Sequence, residues 1–350
     1  MKLSEAKEAL RQCRAANRPA FLLGPPGVGK SAIAMQLADE LFAEKYGFQV
    51  EGTKLRDKKT GRYANKRPYF RDERMLQRDP VEVAGLFRID GDTTTRTRPD
   101  FLPVDGEGII ILDELPNAPM LTQVACYQLL HDGCIGQHTL LDTWWVLAAG
   151  NRGVDRTGIN KMPNALRNRF AWINIEVDAA EWVEWGLANG IATEVLAFIR
   201  FRPELLFTFD PKKNDNAFAT PRTWEYLSDV LKAGNGEISV ELAKGIVGEG
   251  PATEFIAFLK IFRSLPDPDV ILMDPSGAKV PEDPATLYAI CGALSNKASE
   301  QNFGRVVEYA NRLPDEFSVL LVRDAVKRDN QLSLTRAFVE WTSKHNDVLI

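Results

Sequence analysis

The chain has 350 residues, of which 45% are apolar and 26% are charged, and its formal net charge is −5. These are ordinary values for a globular protein, and a chain of this length can bury roughly 75% of its unfolded surface. Apolar runs such as 108–112 are far shorter than the ~20 residues that cross a bilayer, so we expect no membrane association. The acidic balance argues against a nucleic-acid-binding surface over the whole protein.

The amino-terminal segment and the cysteines indicate the cellular compartment of the protein. The chain begins with a polar segment of helical pattern and lacks the apolar core of a secretory signal. The four cysteines form no CxxC pair and have no spacing with histidines that would indicate a zinc site. We therefore expect a cytoplasmic protein with reduced thiols.

The first elements in chain order are a helix, a strand, a turn and a second helix. Residues 3–16 have apolar side chains at helical spacing, and the apolar run 19–24, bounded by Pro and Gly, predicts a buried strand. A helix is predicted from Ser31, ending before Gly47. The basic, turn-rich segment 51–70 follows, and we expect it to loop out.

Three further buried strands are predicted before residue 178. Residues 81–103 are too broken by Gly, Asp, Thr and Pro for a long helix, whereas 108–114 is a strongly apolar strand. A helix over 119–131 leads to 134–152, which is typical of a hairpin feeding a third strand, and 171–177 predicts the fourth. Alternating strands and helices predict an α/β domain with a parallel sheet.

The remainder of the chain is predicted to be helical. We expect three regions: 1–178 as the α/β core, 179–265 as a helical domain, and 266–350 as a further helical region, with 265–284 as a linker or a structured crossover. Residues 51–78 carry ten Lys or Arg against four acids, a local excess of +6. This segment is either a solvated insertion or a contact surface for an acidic partner or nucleic acid.

The strongest motif follows the first strand. "GPPGVGKS" at 24–31 fits G-x-x-x-x-G-K-[ST], and the strand before it and helix after it supply the required context. In such a loop, backbone N–H groups cradle a phosphate, the lysine adds a positive charge, and the hydroxyl faces a magnesium ion. The expected nucleotide-binding residues are Gly24, Pro25, Pro26, Gly27, Val28, Gly29, Lys30 and Ser31.

A pair of acids ends the next strongly apolar strand. Asp113 is placed to hold the magnesium shell with Ser31, and Glu114 is the candidate that polarises the attacking water. The alternative is an acidic cluster at a helix start. A binding site without hydrolysis would not need the second acid, so the pair favours a hydrolase.

Four polar side chains complete the candidate site. Asn151 ends the third strand, where it can hydrogen-bond the attacking water or the γ-phosphate, or only form a turn. Arg167 and Arg169 precede the last strand, far from the phosphate loop, and indicate arginines offered to a neighbouring subunit's nucleotide, or ordinary ion pairs. Arg222, in the first turn of a later helix, is placed to report the nucleotide's state to the helical domain, or is only solvated.

The order of these motifs, "GPPGVGKS", "IIILDE", "AAGNR", "ALRNRF" and "TPRTW", resembles that of AAA+ ATPases, and within them the MoxR-like group, over about residues 18–265. The resemblance implies a P-loop α/β core with a helical lid, ATP and Mg²⁺ bound between subunits, and a homo-oligomeric ring, usually hexameric. It implies that Asp113 and Glu114 are the Walker B acids, Asn151 sensor 1, Arg169 the arginine finger and Arg222 sensor 2. Arg167 is either a second such arginine or a structural residue.

The resemblance also bears on partners. Segment 81–103 lies where the group carries its helix-2 insertion, and "GCIGQHTLLDTWWV" where it carries a hairpin before sensor 1; both would face the pore or the partner. The group's members commonly act as chaperone-like ATPases on a protein with a von Willebrand factor A domain. The long basic insertion and the tail after 266 depart from the group. The alternatives are therefore a nucleic-acid-directed motor and a nucleotide-dependent regulatory switch.

Overall fold

The computed structural model describes residues 1–153, 167–213 and 215–345, and the chain divides into two units. The first comprises residues 1–178 with 210–213, and the second comprises 179–209 and 214–350. In the described ranges, no helix combines the length and apolar character needed to cross a membrane.

The first unit is built around a parallel sheet. In chain order, its strands are β1 (Ala20–Leu23), β2 (Phe48–Glu51), β3 (Lys54–Asp57), β4 (Tyr63–Ala64), β5 (Phe70–Arg74), β6 (Phe87–Asp90), β7 (Thr93–Arg96), β8 (Gly108–Asp113), β9 (Cys134–Ile135), β10 (His138–Thr139), β11 (Trp144–Gly150) and β12 (Ala171–Asn174). Its helices are α1 (Leu3–Ala15), α2 (Lys30–Phe42), α3 (Pro80–Ala84) and α4 (Met120–Asp132). Among the described residues, five strands form one sheet in the order β12, β1, β11, β8, β5, each parallel to its neighbour. The predicted α/β fold is therefore confirmed.

Apolar content decides which strands are central. Every residue of β11 is buried, and so are the first five of β8, because both strands are covered on both faces. Among the described residues β5 pairs only with β8, and its sequence "FRDER" leaves two side chains exposed. Charged residues are typical of edge strands, where they discourage pairing with another chain. The apolar pattern of the sequence therefore did not reveal this strand.

The basic insertion is folded, contrary to the expectation of a loop. β2, β3 and β4 form a small antiparallel sheet, which we call the basic sheet (residues 48–64). Leu55 is 1% exposed and supplies its buried contact. The strands are too short and too charged for the alternation of polar and apolar residues to be visible in the sequence.

One buried carboxylate fastens this insertion to the core. Asp39, on α2, accepts hydrogen bonds from Arg67 through Nε at 2.7 Å and a terminal nitrogen at 2.9 Å, and from the Tyr69 hydroxyl at 2.7 Å. The Asp39 side chain is 5% exposed and that of Arg67 14%. Burial and the neighbouring carboxylate raise the pKa of Tyr69, which therefore remains a donor. We call these three residues the Asp39 clamp.

Two hairpins lie on the same unit and contact one another. Strands β6 and β7 form one hairpin within 81–103, and β9 and β10 form the other. The carbonyl oxygen of Arg96 accepts from Gln137 Nε2 at 2.6 Å and from His138 Nε2 at 2.8 Å. Phe87 and Ile89, on the first hairpin, are 70% and 82% exposed.

The second unit is helical in its described part. Its helices are α5 (Ala179–Ala188), α6 (Thr193–Phe201), α7 (Pro221–Ala233), α8 (Val240–Val247), α9 (Glu249–Arg263), α10 (Pro268–Met273), α11 (Pro284–Lys297), α12 (Phe303–Ala310), α13 (Asp315–Arg328) and α14 (Arg336–Lys344). Trp224 is fully buried, with its ring 5.4 Å from Phe198 and 5.6 Å from Phe255. Arg200 on α6 forms a bidentate ion pair with the buried Asp324 on α13. Residues on both sides of position 265 belong to this unit, and the division at 265 stays a prediction. The last five residues of the predicted region 266–350 lie outside the described ranges.

We predict that Arg67→Met lowers the free energy of unfolding by about 3 kcal/mol, because it leaves the Asp39 carboxylate buried without its cation. Urea denaturation followed by tryptophan fluorescence measures the change. Lys66→Met is the matched control: Lys66 is exposed, so its replacement should change stability by less than about 0.5 kcal/mol. Equal effects of the two substitutions would contradict the structural role of the Asp39 clamp.

Candidate functional site

The phosphate loop joins β1 to α2, and its glycines are required by the backbone. Gly27 and Gly29 have φ of 74° and 97°, a region that other residues rarely adopt. A Cβ on Gly24 would lie 3.1 Å from Val28 Cγ2 and 3.3 Å from Ile175 Cβ. The loop therefore has the tight, left-handed geometry that turns successive N–H groups toward an anion.

Lys30 lies at the start of α2 and is 9% exposed. Its Nζ donates to the carbonyl oxygens of Gly24 and Pro25 and to Asn151 Oδ1, each at 2.9 Å. These acceptors are uncharged, whereas phosphate oxygens carry negative charge and form stronger hydrogen bonds with an ammonium group. Lys30 is thus held at the loop by contacts that a phosphate can replace.

Ser31 and Asp113 form the second contact of the site. Ser31 Oγ donates to Asp113 Oδ2 at 2.6 Å, and the backbone N–H of Glu114 donates to Asp113 Oδ1 at 2.8 Å. A hydroxyl and a carboxylate at a phosphate loop are the oxygen ligands that Mg²⁺ takes together with phosphate and water. The residues present therefore fit a magnesium ion.

Glu114 has an unusual backbone conformation. Its φ is 56° and its ψ is 25°, in the left-handed region, which costs a residue other than glycine about 1 kcal/mol. The 3₁₀ turn Leu115–Asn117 follows directly. The chain thus reverses sharply at the second acid, so that Glu114 does not continue the strand that ends at Asp113.

The order of strands brings Asn151 to the phosphate loop. β11 lies between β1 and β8, with Leu23 opposite Gly150 and Leu112 opposite Ala148. Because the strands are parallel, the loop after β1, the acids after β8 and Asn151 after β11 share one edge of the sheet. The three segments are far apart in sequence, and the sheet register is what joins them.

Gly150 sets how closely two of these segments approach. A Cβ on Gly150 would lie 2.4 Å from Cδ and 2.5 Å from Cγ of Pro116, which belongs to the turn after Glu114. Such distances are well inside van der Waals contact. Only glycine at this position lets β11 pass the turn that carries Glu114.

Asp72 is a residue of this edge that the sequence did not indicate. It lies on β5, opposite Ile111 of β8. Partial desolvation by the surrounding protein and the neighbouring charge of Asp113 raise the pKa of the Asp72 carboxyl to about 6, although the residue is exposed at the surface. Asp72 belongs to no recognised motif, and it was overlooked because the strand that carries it, β5, was not predicted.

Arg169 lies at the opposite edge of the sheet from the phosphate loop, where the parallel strands begin. Its guanidinium carbon is 4.9 Å from the centre of the Tyr127 ring, and the residue lines a cleft of about 580 Å³ together with Arg18, Pro19 and Trp145. Pro19 precedes the first residue of β1, whereas the phosphate loop follows the last residue. The four residues of β1 span about 13 Å, so Arg169 is remote from Lys30 of its own chain.

The other predicted arginines are placed separately. The side chain of Arg167 is exposed, and its carbonyl oxygen accepts from Trp172 Nε1 at 2.7 Å. The first four residues of "PNALRNRF", 163–166, lie outside the described ranges. Arg222 is exposed in the first turn of α7, in the second unit, where the Thr220 hydroxyl accepts from Thr223 N at 3.1 Å and caps the helix.

Comparisons with known proteins give distant similarities to solved structures. No protein-family model matches the sequence, and no curated protein matches it either. Among solved structures, the chain is similar to NtrX from Brucella abortus (13% identity, TM-score 0.42), covering 75% of this chain and 61% of that one. NtrX in complex with ADP gives the same identity and TM-score, covering 99% and 67%. The chain is also similar to a mutant of RuvB from Thermotoga maritima, with 16% identity, a TM-score of 0.38 and coverage of 83% and 80%.

We predict that Gly150→Ala destabilises the protein by about 1–3 kcal/mol, because the new methyl group overlaps Pro116. Thermal denaturation measures the effect. The matched control is Gly245→Ala: Gly245 lies exposed within α8 with no atom within 4 Å of the added Cβ, so this change should stabilise the protein by about 0.5–1 kcal/mol. A neutral or stabilising effect of Gly150→Ala would show that the close approach at Gly150 is wrong.

Proposed function

We propose that this chain is an ATPase of the AAA+ class. The observation that carries the proposal is the pair of contacts Lys30 to Asn151 and Ser31 to Asp113, which join three separate strand ends around one phosphate loop. A loop that only bound a nucleotide would need neither Glu114 nor the amide of Asn151, which follows β11. The choice of ATP over GTP comes from the AAA+ resemblance, since a phosphate loop does not contact the base.

The residues divide the chemistry as follows. The loop N–H groups and Lys30 bind the β- and γ-phosphates, and Ser31 with Asp113 would hold Mg²⁺, which neutralises phosphate charge when bound. Glu114 accepts a proton from water, whose oxygen attacks the γ-phosphorus as the bond to the ADP oxygen breaks. Asn151, released from Lys30, orients the water or the γ-phosphate.

Arg169 supports a site shared between subunits. At the opposite edge of the sheet it cannot reach the phosphate loop of its own chain, but in a head-to-tail assembly that edge can face the next subunit's loop. We propose a homo-oligomeric ring in which Arg169 stabilises charge in the neighbour's transition state, an effect worth ~10³–10⁵ in rate. Six subunits, a second role for Arg167 and nucleotide sensing by Arg222 are the finer parts of the proposal, drawn from the resemblance.

The partner proposed is another protein. The MoxR-like resemblance implies chaperone-like remodelling of a protein with a von Willebrand factor A domain, and the exposed Phe87 and Ile89 of the β6–β7 hairpin offer an apolar contact for it. A regulatory switch with very slow hydrolysis is the second candidate, favoured by the existing Lys30 to Asn151 contact, which a nucleotide must break before the site is active.

We predict that Glu114→Gln lowers kcat for ATP hydrolysis by about 10²–10⁴-fold while ATP still binds, because the amide cannot accept the proton of water. Phosphate release and binding of a fluorescent ATP analogue measure the two quantities. Lys30→Ala is the contrasting variant and should lose binding as well. Normal turnover by the Glu114→Gln protein would refute the mechanism.

We predict that mixing two inactive variants restores hydrolysis. In an equimolar mixture of Glu114→Gln and Arg169→Ala subunits, about a quarter of the interfaces pair an intact phosphate loop with an intact arginine, if subunits exchange randomly. Steady-state ATPase activity of the mixture measures the recovery.

The matched control mixes Glu114→Gln with Lys30→Ala. Every subunit then carries a defect on its own phosphate-loop side, so no interface is complete and no activity should return. If the first mixture also remains inactive although both proteins assemble, Arg169 does not act on a neighbour.

A further inference from the structure

We propose that the outer face of the basic sheet binds single-stranded nucleic acid. This surface is separate from the nucleotide site, and the proposal does not rest on ATP hydrolysis. It is carried by unpaired cations on the insertion and by an exposed aromatic ring that has a lysine beside it, on a small, firmly anchored sheet.

Positive charge is concentrated on the insertion although the chain as a whole is acidic. Residues 48–66 contain two acids, Glu51 and Asp57, against six basic residues: Lys54, Arg56, Lys58, Lys59, Arg62 and Lys66. In the part of the chain that the structure describes, the exposed side chains of Lys59, Arg62 and Lys66 form no ion pair. These three cations are therefore available to a polyanion.

The two acids accept hydrogen bonds from other residues of the insertion. Asp57 Oδ1 accepts from the backbone N–H groups of Lys59 and Thr60, each at 2.8 Å, and thereby holds the turn that presents Lys59. Glu51 accepts from the Tyr63 hydroxyl at 2.9 Å and from Arg56 at 3.3 Å. Both carboxylates thus organise the surface, and the six basic residues outnumber them.

Tyr63 gives the surface a place for a base. The alternation of β3 buries Leu55 and exposes its neighbours Lys54 and Arg56, and Arg56 is paired with Tyr63 on β4. Tyr63 is 57% exposed, and Lys54 Nζ lies 5.6 Å from the centre of its ring. An aromatic ring among cations on a sheet face matches a strand of nucleic acid, whose bases stack while its phosphates pair.

The sheet is held in a fixed position for such binding. The Asp39 clamp ties Arg67, three residues beyond the basic sheet, to α2, and Arg67 also donates to the carbonyl oxygen of Thr53 at 3.0 Å. A surface that is already ordered loses less conformational entropy when it binds. An acidic polypeptide could pair with the cations but has no bases to stack on the Tyr63 ring. Nucleic acid is therefore the better match.

The first test uses the full-length protein without nucleotide and a fluorescein-labelled oligo(dT) of about 20 nucleotides, longer than the ~4–16 that one binding module covers. Anisotropy titrations between about 50 and 200 mM KCl give the dependence of log K on log salt. The triple variant Lys59→Gln, Arg62→Gln, Lys66→Gln should flatten this slope by about 2, since each lost phosphate contact accounts for ~0.7 on a single strand.

The charge-matched control is Lys260→Gln, Lys279→Gln, Lys344→Gln, three exposed lysines of the second unit. It should leave both the affinity and the slope unchanged. An unchanged slope in the insertion variant, or the same loss in the control, would overturn the proposal, and either result would leave the ATPase proposal untouched.

The second test addresses stacking. Tyr63→Ala should weaken oligo(dT) binding about tenfold, and Tyr63→Phe should retain it, because stacking needs the ring and not the hydroxyl. Circular dichroism confirms that the variants are folded. Binding of polyglutamate or of a DNA duplex as tightly as the single strand would refute the assignment, because neither offers unpaired bases to the ring.

Discussion

The hydrogen-bonded register of β11 between β1 and β8 determines which side chains meet at the phosphate loop. Parallel pairing brings three strand ends to one edge, so residues more than a hundred positions apart, such as Lys30 and Asn151, come within 2.9 Å. A shift of one residue in either pairing would turn the buried apolar side chains to the wrong face, and the core therefore fixes the site. The chemistry of this edge depends on apolar packing that takes no part in it.

The two edges of the same sheet differ in what they offer. One edge carries a phosphate loop, two acids and an amide, and the other carries Arg169 beside a cleft of about 580 Å³. Within one chain, Arg169 is therefore remote from the phosphate loop.

Much of the fold was predictable because its decisive signals are local. The apolar runs of β8 and β11 and the glycines at 24, 27 and 29 require only neighbouring residues to be recognised, and the predicted central strands are confirmed. β5 was not predicted because an edge strand lacks the continuous apolar pattern. Asp72 was missed for the same reason, since its proximity to Asp113 exists only through that strand.

Other parts of the site depend on contacts that a sequence does not encode locally. The left-handed backbone of Glu114 and the close approach of Gly150 to Pro116 follow from the packing of a turn against a neighbouring strand. The basic sheet forms because Leu55 is buried and the Asp39 clamp joins the insertion to α2. The sequence of the segment alone is typical of a charged loop. The roles of Arg167, Arg169 and Arg222 stay predictions, because they concern a nucleotide and neighbouring subunits.

Helix α2 contacts both the phosphate loop and the basic insertion, and can therefore couple binding at one to binding at the other. Its first residue, Lys30, holds the phosphate loop, and Asp39, about 14 Å further along its axis, holds the basic insertion. If nucleotide binds at this loop and a ligand binds at the insertion, any change that the ligand makes in the nucleotide affinity through α2 is matched by an equal change in the reverse direction. One helix would in that case couple nucleotide binding to ligand binding at the insertion, and the Asp39 carboxylate would be the contact through which the insertion acts on the helix.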